Sequence, residues 1–318
     1  MEILYGLYPT YIDVTLKLDP NKDVTIPRND MKRSLMFGAD PFPGIVKHII
    51  IKQNNGKIFE ADTNVKLIVN ISKNEYRIIH KNTCLLVEPR KLYFLKNIME
   101  QTYSILKDEW NYVFYCGKGL KSYWENVLEK YVNIRELDVD NFPEPRFYSN
   151  FFKNKNLWES IKGEYVLTIQ ADTWIVNDPL YNIYFFMGLN KSYIGGNDHR
   201  PFWRELARQG LDFEYSNFNG GLSLRKRLDM IKIIESFPPE QTMEPPSLST
   251  KMETDAEDVY FTIGCKLLNL PLGDDEISSH FCLHNVYKES FFAIHNPNRS
   301  VYDRITYRYP NLKSHPHF

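Results

Sequence analysis

The sequence predicts an α/β protein built on a mostly parallel central sheet, preceded by a small β-rich segment. Two observations carry that class: strand-like apolar runs alternate with helical periodicity between residues 83 and 169, and those runs are nearly continuous, as in strands buried on both faces. Up to residue 80 the pattern is different, with short runs between turn formers. At 318 residues, the chain is long enough for one large or two moderate domains, and the change of rhythm divides it into 1–80 and 81–318.

In the first segment, Tyr11 to Leu16 and Val65 to Val69 read as strands. Ile26 to Asp30 and Gly38 to Gly44 are rich in Pro, Gly, Asn and Asp and read as loops. The second segment opens with the strand Thr83-Cys84-Leu85-Leu86-Val87. Leu92 to Glu109 follows with Leu95, Ile98, Met99, Tyr103 and Leu106 at helical spacing, and Tyr112 to Cys116 is the next strand, giving one βαβ unit. Leu120 to Val132 repeats the helical pattern, Ile134 to Leu137 is a third strand, Phe147 to Ile161 a third helix, and Tyr165 to Ile169 a fourth strand. Phe237 to Thr250 carries Pro238, Pro239, Pro245 and Pro246 and reads as a surface loop bordering a site.

Composition narrows the function classes. Apolar residues are 43% and charged residues 25% of the chain, as in a self-folding globular protein. Lys plus Arg (39) nearly cancels Asp plus Glu (40), so no global field draws in nucleic acid or an anionic membrane. Cys84, Cys116, Cys265 and Cys282 lack C-x-x-C spacing and read as reduced, buried thiols. The amino-terminal stretch has no signal-peptide pattern, and no apolar run is long enough for a membrane span, so a soluble, cytoplasmic protein is expected. Asn70 and Asn298 match the glycosylation sequon, at the rate chance gives in an Asn-rich chain.

The chemistry-bearing residues stand at strand and helix ends. Ligands of open α/β sheets bind beyond the carboxyl ends of the strands, where Asp172 follows Tyr165–Ile169, either as a divalent-cation ligand or as a turn cap. In Ser216 to Arg225, Gly220 and Gly221 allow close backbone approach to a ligand and Asn219 offers donor and acceptor; the plain alternative is a glycine turn entering a strand. Glu257-Asp258 open a helical pattern, where acids suit the helix dipole and a general base could also sit. His295 follows the apolar Phe291 to Ile294 and either completes a cation site with Asp172 or is structural. His199 and His284 show no metal-ligand spacing.

Taken in order, Val87-Glu88-Pro89-Arg90, Gln170-x-Asp172, Asn219-Gly220-Gly221-x-Ser223-Leu224-Arg225, Glu257-Asp258 and His295 resemble a GT-A-like glycosyltransferase family found in bacteria and large DNA viruses. The resemblance spans residues 80 to 300 and implies a GT-A-like, Rossmann-type sheet flanked by helices. It also implies a nucleotide-sugar donor, a UDP-sugar foremost, an acceptor hydroxyl on a glycan or protein, and Mn²⁺ or Mg²⁺ as cofactor. On that basis Val87, Glu88 and Arg90 would lie near the nucleotide, with Gln170, Asn219, Gly220 and Gly221 completing the donor site toward sugar and acceptor. Asp172 and His295 would hold the metal, and Asp258 or Glu257 would be the catalytic base. A metal would act as Lewis acid on the leaving diphosphate while the base takes the acceptor proton. Gln170 stands where the family has the first carboxylate of a D-x-D pair. The other readings are an inactive transferase-like module that binds sugar or nucleotide, and a nucleotidyltransferase; a viral source would place the protein in the host cytoplasm. Residues 1–80 lie outside the resemblance and are expected to position the acceptor or cover the sheet.

Overall fold

The structure, a computed structural model, describes residues 1–62, 65–176, 178–197, 218–239, 256–310 and 312. It divides into two compact units, Met1–His80 and Lys81–Phe318.

The first unit contains β1 (Glu2–Leu7), β2 (Thr10–Asp13), β3 (Val24–Ile26), α1 (Asp30–Phe37), β4 (His48–Lys52), β5 (Ile58–Ala61), β6 (Lys66–Asn70) and β7 (Glu75–Ile79). Two antiparallel sheets, ordered β2-β1-β4-β5 and β3-β6-β7, contribute Ile3, Tyr5, Ile49, Ile51, Leu67 and Val69 to a shared core. Helix α1 lies between the two stretches expected as loops, sharing only Asp30 with the first. Asn29 caps it by accepting the Lys32 N–H, and Gly38 ends it in the left-handed region at φ 59°. Lys47 is fully buried; its ammonium meets Asp30 at 2.5 Å and Asp40 at 2.8 Å and donates to the Phe42 and Ile45 carbonyls, so the charge is compensated where water is excluded.

The second unit begins with β8 (Asn82–Glu88), α2 (Leu95–Leu106), β9 (Trp110–Cys116), α3 (Lys121–Val127), β10 (Val132–Glu136), α4 (Pro145–Phe152), α5 (Lys155–Ser160), β11 (Tyr165–Ile169) and β12 (Thr173–Ile175). It continues with α6 (Ile183–Gly188), β13 (Tyr193–Asn197), β14 (Phe218–Lys226), α7 (Arg227–Ser236), α8 (Glu257–Leu267), α9 (Asp275–Phe281), β15 (Cys282–Leu283), β16 (Ala293–His295) and α10 (Arg299–Arg308). The helix expected over Phe147 to Ile161 is broken at Lys153-Asn154, where the Asn154 side chain caps α5.

The fold class departs from the expectation. The main sheet has six strands in the order β10-β9-β8-β11-β14-β13, and β14 runs antiparallel to both β11 and β13. Its four strands β10-β9-β8-β11 are parallel to one another, and elsewhere among the described residues antiparallel pairs predominate. The second unit is therefore mixed α/β, not a GT-A-like, Rossmann-type, mostly parallel sheet. The expectation failed because strand–helix alternation stops at β11. Two glycine-bearing segments that the alternation did not mark as strands, one of them the Asn219 to Arg225 segment with its alternative of a turn entering a strand, become the antiparallel strands β13 and β14.

Alternation along the strands fills two apolar layers. Leu86, Phe114, Leu167 and Leu224 pack with Ile98, Met99, Trp124 and Phe186 on one face. Leu85, Val113 and Val166 pack with Trp158, Ile233 and Phe261 on the other. Burying a side chain of this size contributes about 1.5–3 kcal/mol, so the strands near the site are firmly held. The cysteines are free and buried. Asn70 is buried, and the Asn298 side chain caps α10, giving both sequon residues structural work. No helix among the described residues is long and apolar enough to cross a membrane.

Candidate functional site

Strands β8 and β11 pair in parallel, with Leu86 opposite Ile169, so the chain leaves both at the same sheet edge. Glu88 and Arg90 emerge there from β8, and Gln170-Ala171-Asp172 from β11. Because β14 is antiparallel to β11, its amino-terminal residues arrive at this edge as well. The β13–β14 register breaks between Gly195 and Gly196, which face Ser223 and Asn219, so Gly220, Gly221 and Leu222 bulge from that ladder. Such bulges re-aim the chain beside functional sites. Strand β16 brings His295 opposite Thr173, next to Asp172.

Two adjoining cavities open at the edge. One, of about 360 Å³, is lined by Val87, Glu88, Arg90 and Phe142; the other, of about 350 Å³, by Asn219, Gly220, Gly221, Glu257, Asp258 and His295. Pro145, Tyr148, Gln170 and Asp172 belong to both walls. Every residue expected at the donor, metal or base site thus borders one cavity or the other, but Val87, Glu88 and Arg90 are in a different cavity from Asn219 and Asp258. Asp198, His199 and Arg200, Ser216 and Asn217, and Pro245 and Pro246 lie outside the described residues.

In the first cavity the buried Glu88 carboxylate accepts from Arg90 Nε and Nη2, both at 2.8 Å. These bonds raise the Arg90 pKa above its ordinary value, and Asp172 adds to the effect. Arg90 remains about half exposed, 54% by side chain, so a held guanidinium faces the cavity mouth.

The second cavity rests on a buried ion pair. Arg225 is fully buried, and its Nη1 stands 2.6 Å from Glu257 Oε2. The Arg225 Nε donates to the Ser223 hydroxyl at 2.8 Å, and its guanidinium lies among the rings of Tyr193, Phe261, Phe152 and Trp158. Burial pushes the Glu257 carboxyl up, Arg225 pulls it back, and the pair holds Arg225 charged. The Ser149 hydroxyl accepts the Glu257 N–H at 3.3 Å, fixing the start of α8. Asp258 is partly exposed at the cavity, with Oδ1 accepting the Val259 N–H at 2.8 Å. The two acids therefore differ in position: Glu257 is buried in its pair with Arg225, and Asp258 is partly exposed on the cavity lining.

Both glycines are sterically required. A Cβ on Gly220 would stand 2.0 Å from Glu257 Oε1, and one on Gly221 would stand 2.1 Å from His295 Nε2 and 2.5 Å from Gln170 Oε1. Asn219 Oδ1 closes the bulge by accepting the Gly221 N–H at 2.8 Å.

His295 Nε2 lies 3.1 Å from Asp172 Oδ1 and 3.1 Å from Gln170 Oε1, while its Nδ1 is shielded from water and has no hydrogen-bond partner among the described residues. A metal on Nε2 would put the ring proton on Nδ1, where no acceptor receives it, whereas metal-bound histidines nearly always donate that proton. The arrangement instead suits an Nε2–H that donates to Asp172 and Gln170. Among the described residues no group of three His, Cys, Asp or Glu side chains could hold a metal ion. Asp172 and His295 as arranged do not fit a metal, and they are better described as a carboxylate and the imidazole that orients it.

Ser149 and Tyr148 were not singled out in the sequence, and Arg225 entered only as the last residue of the Asn219 to Arg225 segment, with no role of its own. The only available clue was Arg225, a charge alternating with the apolar Leu222 and Leu224 of a strand. No curated protein matches the sequence. The model of a family described as "Protein of unknown function (DUF5672)" matches residues 131–300, a span that contains β10 to β16, the whole second cavity and neither Glu88 nor Arg90. That match covers more than half of the sequence, and the chain belongs to the DUF5672 family.

Proposed function

We propose that the protein is a glycosyltransferase that moves a sugar from a nucleotide-sugar, a UDP-sugar foremost, to an acceptor hydroxyl of a glycan or protein. The observation that carries this reading is the pair of adjoining cavities, with Arg90 and Glu88 at one and Asp258 at the other. A transfer of this kind needs two separated groups. One must receive the charge of the leaving diphosphate, and the other must take the proton of the attacking hydroxyl. Arg90 serves the first need with its N–H donors. Asp258 serves the second as the acceptor oxygen bonds to the anomeric carbon and the bond to the phosphate oxygen breaks, its electron pair leaving with the diphosphate. Because the metal ligands do not fit, no step is routed through a divalent cation. The free, buried thiols suit a reducing compartment and support a cytoplasmic setting.

A thermal-shift and calorimetric screen against UDP, GDP, CMP and ATP, each with Mn²⁺, Mg²⁺ or EDTA, tests the donor assignment. UDP is expected to stabilise the protein, by about 2.7 kcal/mol at a hundredfold excess over Kd, and to do so in EDTA as well. Stabilisation by none of the nucleotides would sink the donor assignment. A UDP effect that requires Mn²⁺ and disappears in Asp172→Ala would restore the metal to the site.

A further inference from the structure

Tyr148 stands on the wall shared by the two cavities. Its ring is wedged between Phe142, at 5.9 Å, and Phe152, at 4.8 Å between centroids, so the hydroxyl has a fixed position. That hydroxyl is shielded from water and has no hydrogen bond of good geometry among the described residues, although the Gln170 amide lies close to it. Buried polar atoms in native proteins are nearly always satisfied, and leaving one unpaired is costly, so an orphan on a cavity wall calls for a partner. Burial is the main cause of a pKa well above the tyrosine norm, which keeps the hydroxyl protonated and able to donate. The neighbourhood also includes Asp172 and Glu257, both acceptors, and neither takes up this proton in the structure.

We infer that Tyr148 is a donor-sugar contact: its hydroxyl, covered in the free protein, donates to an oxygen of the hexose at the junction of the two cavities once the neighbouring Gln170 amide moves aside for the sugar. The inference rests on the transferase reading and deepens it. It follows from position, because a group passed from the Arg90 cavity to the Asp258 cavity must cross the wall that Tyr148 forms. The nucleotide itself, at the Arg90 end, does not need the contact.

The test is Tyr148→Phe, which keeps the ring and its packing and removes only the orphan oxygen. Calorimetry would compare wild type and variant with UDP and with UDP-glucose, UDP-galactose and UDP-N-acetylglucosamine. For whichever UDP-hexose the wild type binds, the variant should lose about tenfold in affinity, the order expected for one hydrogen bond in a shielded site, while UDP affinity stays within about twofold. The Tm of the free variant should be unchanged or raised, because no internal hydrogen bond is lost. Equal UDP-hexose affinities would overturn the inference, as would a parallel loss for UDP or a Tm lowered by several degrees, which would mark a structural hydroxyl. Wild-type protein that binds UDP but no UDP-hexose would also overturn it and leave the nucleotide site standing. Wild-type protein that binds none of the four would remove the transferase reading and this contact together.

Discussion

Replacing Arg225 with Met is expected to cost about 3–5 kcal/mol of stability at pH 7, the range for leaving one partner of a buried ion pair unpaired. Met fills much of the space among Tyr193, Phe261, Phe152 and Trp158 but leaves the 95% buried Glu257 carboxylate, 2.6 Å from the lost guanidinium, without its counter-charge. The pH dependence has a definite sign. Burial already raises the Glu257 pKa in the folded protein, and removing Arg225 raises it further. A carboxyl whose folded pKa exceeds its unfolded value, about 4.3, favours the folded state fully below that value and loses this contribution as pH rises through the folded pKa. The deficit of Arg225→Met should therefore shrink between pH 7 and pH 4 in urea titrations. The double variant Arg225→Met, Glu257→Leu should recover most of the loss at pH 7, because an apolar pair needs no charge compensation. A loss below about 1 kcal/mol, or one that grows toward acid pH, would contradict the described pair.

The second large effect is on turnover. Asp258→Asn should reduce sugar transfer about 10²- to 10⁴-fold, the usual contribution of a positioned general base, while nucleotide affinity stays within about twofold. The substitution is nearly isosteric, and an Asn oxygen can still accept the Val259 N–H that Asp258 accepts at 2.8 Å, so the start of α8 should persist. Glu257→Gln would be the weaker experiment, since it disturbs the Arg225 pair as well as any chemistry. Unchanged transfer in Asp258→Asn would remove the base from the account.

The parallel part of the sheet was legible because Thr83 to Val87, Tyr112 to Cys116 and Tyr165 to Ile169 are unbroken apolar runs, a pattern few other structures produce. The antiparallel part was not. Gly195-Gly196 and Gly220-Gly221 have poor intrinsic strand preference, yet Gly220 and Gly221 are held in β14 by tertiary necessity, since Glu257, His295 and Gln170 occupy the space a side chain would need. Helix α1 was hidden for a related reason: only Arg33 and Phe37 of its eight residues are buried, too few to show a helical stripe. At the site, the carboxylates and glycines after strands could be picked out one by one. Ser149, Tyr148 and the role of Arg225 could not, because an arginine in a strand or a tyrosine in a helix acquires meaning only from what the fold sets against it. The same applies to Asp172 and His295, whose residue types suggest a metal but whose hydrogen bonds point to a donor–acceptor pair.

The most direct test is release of UDP from UDP-glucose, UDP-galactose and UDP-N-acetylglucosamine by the wild-type protein, measured in EDTA with the hexose labelled so that its destination is followed. The account predicts that at least one of these donors yields UDP and a labelled sugar transferred to an acceptor or to water, and that Asp258→Asn suppresses the release. Tight binding of UDP with no turnover of any donor, identical in wild type and Asp258→Asn, would contradict it and leave a protein that holds nucleotides without transferring sugar.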